Sequence, residues 1–262
     1  MSLEKILTDF KEGKIDLDET IRKIRLLAVE EIEKKVRFDL SREIRRGVPE
    51  IIYAESKSIP VLMRIIKQVT KRIGRVIVSR LNDEQLNAIK SLAEEYDVKF
   101  SEIGRIASIS TKEYIPTRYD GVVGIVTGGT ADVAIAEEAR FIVEEMGCKT
   151  IIMYDVGVAG LHRAINSVKK LIENNVDVVI VVAGMEGALP SLIASLIDVP
   201  VIGVPSSVGY GLGGNGYAAL LSMLQACPLG VAVVNIDNGV NAGIIASLIA
   251  RRIGIYRKYI KR

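Results

Sequence analysis

The chain has 262 residues, 49% of them apolar, with one histidine, two cysteines and a formal net charge of +3. That length holds one large domain or two ordinary ones, and the composition can fill a sizeable core. The small charge and a chain with four Phe and no Trp argue against a nucleic-acid binder, and the most apolar stretches (176–183 and 244–249) are too short to cross a bilayer.

The N-terminus lacks the apolar region of a signal peptide. Cys148 and Cys227 are far apart, with no CxxC and no histidine at metal-ligand spacing, which argues against a zinc site or a disulfide framework and fits a reducing cytoplasm. The basic tail Arg257-Lys258-Tyr259-Ile260-Lys261-Arg262 reads as a solvated end rather than a nucleic-acid arm.

In chain order, a short helix is expected over Ser2–Lys11 and a longer one over Leu17–Phe38, with Ile21, Ile24, Leu27 and Ile32 at helical spacing. Asp39-Leu40-Ser41-Arg42-Glu43-Ile44-Arg45-Arg46-Gly47-Val48-Pro49-Glu50 follows, then Lys57. Helix (61–71), strand (76–79), helix (83–96) and strand (98–101) complete a small α/β unit. Four of the 23 glycines precede residue 111, and charged residues thin out beyond it. A boundary near Tyr114-Ile115-Pro116-Thr117 therefore divides an N-terminal domain, 1–115, from a C-terminal one, 116–262.

The second half alternates apolar runs with helical patterns. Strands are expected at 121–126, 150–154, 176–182, 200–204 and 231–235, and helices at 130–146, 161–173, 188–196, 217–227 and 241–253. Near-continuous apolar strands between helices imply a parallel sheet covered on both faces, a three-layer α/β domain.

Each strand leads into a loop of small or polar residues. These are Thr127-Gly128-Gly129-Thr130-Ala131-Asp132, the segment from Asp155 through Gly157 to His162 and Arg163, Gly184-Met185-Glu186-Gly187, the segment from Ser206-Ser207 to Gly216, and Asp237-Asn238-Gly239. In a parallel sheet such loops share one edge, where open α/β folds bind ligands. Neither a Walker motif nor a true dinucleotide fingerprint is present; Gly211, Gly213 and Gly216 match the GxGxxG spacing but follow the wrong strand. His162, the lone histidine, is either structural or functional; Glu186, between glycines at the end of a buried strand, is a candidate acid or base. Cys227, between an apolar helix and Pro228, is either a nucleophile or a small apolar residue filling a gap.

Gly124-Ile125-Val126-Thr127-Gly128-Gly129-Thr130-Ala131-Asp132 resembles the opening loop of PurE-type aminoimidazole ribonucleotide carboxylases and mutases. Ala188-Leu189-Pro190, 199–205, 220–225 and Asn241-Ala242-Gly243 continue the likeness in order. The departures are informative. Ala188 stands where PurE enzymes carry a histidine, Glu186 lies two positions earlier, and Cys227 appears where those enzymes show no cysteine. With the N-terminal segment Asp39 to Glu50 and Lys57, these departures resemble the LarB family, the pyridinium-3,5-biscarboxylic acid mononucleotide synthases of nickel-pincer cofactor biosynthesis.

That resemblance implies a PurE-like, flavodoxin-like C-terminal domain, a homo-oligomer (an octamer in PurE-like proteins), and nicotinic acid adenine dinucleotide and CO2 as substrates. It implies ring carboxylation, then phosphoanhydride hydrolysis releasing AMP, with Mg2+ and no organic cofactor. Cys227 would be the nucleophile and Glu186 the ring-proton base, with His162 and Asp155 in the catalytic set. Thr127, Gly128, Gly129, Thr130, Asp132, Gly157, Arg163, Gly184, Ser206 and Ser207 would hold CO2 or phosphate, and Asp155 and Asp237 would be magnesium partners. A helix C-terminus disfavours a thiolate, so the activation of Cys227 must come from the cationic substrate, from His162 or Arg163, or from another subunit. Arg42, Arg45 and Lys57 either contact phosphates or form a solvated face. The rival functions are a purine-pathway carboxylase or mutase and a non-catalytic nucleotide-binding protein.

Overall fold

A computed structural model describes residues 3–32 and 46–260. Arg42, Arg45 and the end of the expected second helix lie outside the described residues. The chain opens with α1 (Leu3–Lys11) and α2 (Leu17–Ile32); α2 begins where the Asp16 carboxylate accepts the Glu19 N–H at 2.7 Å, a standard N-cap bond.

A four-stranded sheet follows, built from β1 (Ile51–Tyr53), β2 (Arg75–Ser79), β3 (Asp97–Ser101) and β4 (Ile106–Ser110) in the order β1-β2-β4-β3. β1 runs parallel to β2, and β4 is antiparallel to both its neighbours. α3 (Ile59–Ile73) and α4 (Asp83–Lys90) cover one face. A capping box between Asn82 and Gln85 starts α4. The helix expected over 83–96 stops at Lys90 and tightens into a 3₁₀ turn, Ser91–Glu94, that tucks Leu92 and Tyr96 into this core. β4 carries no sequence-level alternation because it is buried on both faces, and Ser108 at its centre gives its hydroxyl to Glu145 at 2.8 Å.

The second sheet holds β5 (Val122–Thr127), β6 (Lys149–Met153), β7 (Val178–Ala183), β8 (Val201–Pro205) and β9 (Val231–Val233), all parallel, in the order β6-β5-β7-β8-β9. This second-first-third-fourth-fifth order is the flavodoxin-like winding. Ile125, Ile180 and Ile202 lie side by side across it, each with almost no exposed surface. One face is covered by α5 (Val133–Glu145) and α9 (Gly239–Ile260), the other by α6 (Leu161–Glu173), α7 (Leu189–Ala194) and α8 (Tyr217–Leu224).

α9 starts and ends outside the expected 241–253 because it is walled on two sides. Ala242, Ala246 and Ala250, four residues apart, face the five-stranded sheet; Val240, Ile244 and Leu248 face Val48, Ile77 and Ile106 of the N-terminal domain. α5 approaches α9 so closely that a Cβ on Gly243 would sit 2.8 Å from the Ala139 carbonyl. The molecule is thus a stack of helices, sheet, helices, sheet and helices, with α5 and α9 in the middle.

Candidate functional site

The strand order reverses at β5, whose neighbours β6 and β7 both follow it in sequence. The crevice above β5 and β7 is where such sheets receive ligands. The loops there are fastened to one another. Thr127 is fully buried, and its hydroxyl accepts the Asp155 N–H at 3.0 Å. Gly157 lies against the Gly128 carbonyl. Gly184 is a glycine because a Cβ would fall 2.2 Å from the Val208 carbonyl and 2.7 Å from Ser206 Oγ.

Asp132 ends the 3₁₀ turn Thr130–Asp132 and is buried. One carboxylate oxygen accepts the Gly129 N–H at 2.8 Å and the other accepts Ser206 Oγ–H at 2.5 Å. Burial pushes its pKa above the ordinary carboxylate range, and the charge of Asp237 adds to the shift; the Ser206 and Gly129 bonds oppose it. The Asp237 carboxylate accepts the Ser207 N–H at 2.7 Å. Ser206, Ser207 and Gly129, expected to hold CO2 or phosphate, therefore spend a hydroxyl or an N–H on the loops themselves. Among the residues this edge presents to solvent are Thr130, Asp155, His162, Met185, Glu186, Ser207 and Tyr210. Arg163 donates to the Asp155 carbonyl at 2.9 Å and to its carboxylate at 2.7 Å, which makes an exposed cation–carboxylate pair beside His162.

Cys227 lies elsewhere. α8 ends at Leu224, and the thiol is exposed in the loop that leads down to β9. Three contacts fix its level. Ala219 packs beneath Gly187 at the ligand edge, Met223 reaches Gly203 at mid-strand, and the Gly230 carbonyl accepts the N–H of Val201, the first residue of β8. Three residues span at most about 10 Å, so Cys227 sits near the edge where β8 begins, opposite the five loops. Within one chain, Cys227 thus stands apart from Glu186, His162 and Asp155, the residues expected to act with it. Cys148 is the contrasting thiol: it is buried, its Sγ lies 3.9 Å from the Ser247 carbonyl, and burial pushes its pKa up to about 11.

Exposed apolar side chains run along α8 and into the Cys227 loop. Tyr217, Leu221, Leu224 and Leu229 all show more than half of their surface, Leu229 94%. Among the described residues no group of three or more His, Cys, Asp or Glu is arranged to hold a metal, and no helix is long and apolar enough to cross a membrane.

Sequence reasoning passed over Arg80 and Glu138. Arg80, just after β2, donates to the Asp237 carbonyl, and its Nε lies 3.6 Å from the Glu138 carboxylate. Both contacts cross between domains, so no local motif announces them.

Two family models match the chain: AIR carboxylase over residues 122–258, and a LarB/PurE-like N-terminal domain over residues 29–112. An uncharacterized protein of Methanocaldococcus jannaschii is 42% identical over 258 residues, covering 95% of this chain and 97% of its own. An N5-carboxyaminoimidazole ribonucleotide mutase of the same organism is 36% identical over 148 residues, 53% of this chain and 89% of its own. A protein of the same description from Pyrococcus horikoshii is 39% identical over 131 residues, 48% of this chain and 70% of its own.

Proposed function

Because this chain belongs to the AIR carboxylase family and carries a LarB/PurE-like N-terminal domain, we propose that it is a LarB-type synthase. It would carboxylate the pyridinium ring of nicotinic acid adenine dinucleotide and hydrolyse the phosphoanhydride to release AMP. The observation that carries this reading is an exposed thiol, Cys227, in a chain with Ala188 where the purine enzymes hold a histidine.

A pyridinium ring is too electron-poor to attack CO2. The Cys227 thiolate adds to a ring carbon, forming a C–S bond and turning the ring into a neutral, enamine-like nucleophile. The neighbouring ring carbon then attacks CO2 and forms the new C–C bond. Glu186, exposed between Met185 and Gly187, takes the ring proton. The C–S electron pair leaves with sulfur, and the ring regains its aromaticity. Water then cleaves the phosphoanhydride. Asp155, an exposed carboxylate paired with Arg163, would hold magnesium carried on the substrate's phosphates, since that ion needs only one or two protein ligands there. Magnesium would supply charge neutralisation of those phosphates.

The same topology that separates Cys227 from Glu186 within one chain supports a homo-oligomer in which one copy brings the thiol to another copy's loops. The exposed leucines around Cys227 are the surface we propose for that contact. The setting we propose is the cytoplasm, where the thiol stays reduced.

Incubation with the dinucleotide and bicarbonate, followed by mass spectrometry, tests the reading. A mononucleotide heavier by one carboxyl group, formed together with AMP and absent with Cys227→Ser, is the expected result. Carboxylation of aminoimidazole ribonucleotide instead would install the purine-pathway reading; binding without turnover would leave a nucleotide-binding protein.

A further inference from the structure

Among the described residues, the N-terminal domain reaches the five loops at the ligand edge through a side chain, that of Arg80. Arg80 follows β2 with φ 58°, a left-handed conformation that an arginine adopts only when its surroundings impose it. Its guanidinium joins two points of the other domain: the carbonyl of Asp237 and, at 3.6 Å, the carboxylate of Glu138. Asp237 is itself left-handed at φ 55°, so the loop after β9 makes a sharp turn at the residue Arg80 grips.

From there the bonds continue across the edge. The Asp237 N–H donates to the Pro205 carbonyl at 2.9 Å, and its carboxylate accepts the Ser207 N–H at 2.7 Å. Ser206 donates to Asp132, and Asp132 accepts from Gly129. Glu138 anchors the other side by accepting the N–H of Val240, in the first turn of α9, at 3.3 Å. Glu138 is buried, with 5% of its side chain exposed, so its charge there calls for a partner; Arg80 is the cation beside it. Arg80 is 40% exposed, so most of its role lies in these contacts rather than in core packing.

We infer that Arg80 is a positioning residue: through Asp237 the N-terminal domain sets the Ser206–Ser207 loop and, beyond it, the Gly128–Gly129 turn. As a statement about substrate handling this rests on the function proposed above; as a statement about loop order it stands alone.

The full-length protein and its Arg80→Met and Arg80→Lys variants are compared by amide hydrogen exchange over 203–209 and 235–241 and by steady-state kinetics with the dinucleotide. Arg80→Met is expected to speed exchange in both segments at least fivefold and to raise KM about tenfold, with kcat within threefold of the parent. Arg80→Lys, which keeps the cation, is expected to recover part of both effects. Parental exchange in both segments overturns the inference; faster exchange with an unchanged KM overturns its statement about substrate handling and upholds the one about loop order. If Arg80→Met does not fold, Arg80→Lys alone is scored by the same readouts, with smaller shifts in the same direction expected. If the parent protein turns over no dinucleotide, the proposed function fails by itself; the exchange data and the affinity for AMP, measured by calorimetry, then decide the role of Arg80.

Discussion

The two helix layers on the five-stranded sheet are finished differently. α5 and α9 are covered a second time by the N-terminal domain, so Ile142, Met146 and Val240 pack against Val48, Ile77 and Ile106. Among the described residues no second layer covers α6, α7 and α8, and Leu161, Ile172, Leu196, Leu221 and Leu224 are exposed. The same apolar stock thus builds a sealed core on one side and an open surface on the other. The exposed thiol lies at the end of the open layer and the inert one within the sealed layer.

The largest test of that contrast is Cys227→Ser. Turnover is expected to fall by roughly three orders of magnitude, about 4 kcal/mol in transition-state terms, with Tm unchanged because the residue is exposed. Full turnover with equal Tm would place the reactive group elsewhere.

On the sealed side, Ile142→Ala removes a fully buried side chain between two domains and is expected to cost roughly 2–4 kcal/mol in urea unfolding. A cost under about 0.5 kcal/mol would mean that the inter-domain core is looser than it looks.

Glu138 gives the sealed layer a pH dependence. Burial raises its pKa to about 7, opposed by Arg80 and the Val240 and Gly239 N–H groups, while the Asp237 charge adds to the rise. The folded state therefore holds a proton that the unfolded state releases near pH 4.5, and Glu138 contributes less to stability as pH climbs from about 4.5 through 7. Scanning calorimetry is expected to show that decline, worth about 3 kcal/mol, and Glu138→Gln is expected to flatten it. An unchanged pH profile in the variant would assign the decline to other groups.

The smallest effect is expected on the open layer. Leu221→Ser should change the stability of the chain by no more than about 0.5 kcal/mol, while lowering the assembled mass seen by light scattering. Loss of fold without loss of assembly would reverse the contrast between the layers.

Much of this was legible in the sequence. The parallel strands announced themselves as unbroken apolar runs such as Val178–Ala183, and the loops after them carried the expected glycines and carboxylates. β4 was not legible: no element was expected between 101 and 114, and Glu145, 37 residues from Ser108, is what gives the Ser108 hydroxyl its partner. The level of Cys227 was hidden for a related reason. Sequence order puts the thiol between two loop-bearing segments, while the direction of α8 carries it to the far edge. Arg80 and Glu138 needed both domains in place before their pairing existed.

α9 has a consequence for how the molecule comes to be. It follows every other described element along the chain, yet it is a middle layer of the stack. During synthesis, both sheets leave the ribosome before the helix that belongs between them. Until it arrives, Ile77 and Ile106 on one side and Val123 and Ile180 on the other lack part of their wall. The two domains cannot take their final seats one after the other, as domains made in succession commonly do. Their seating waits for α9, and the innermost layer of the nascent protein is the last to be laid in.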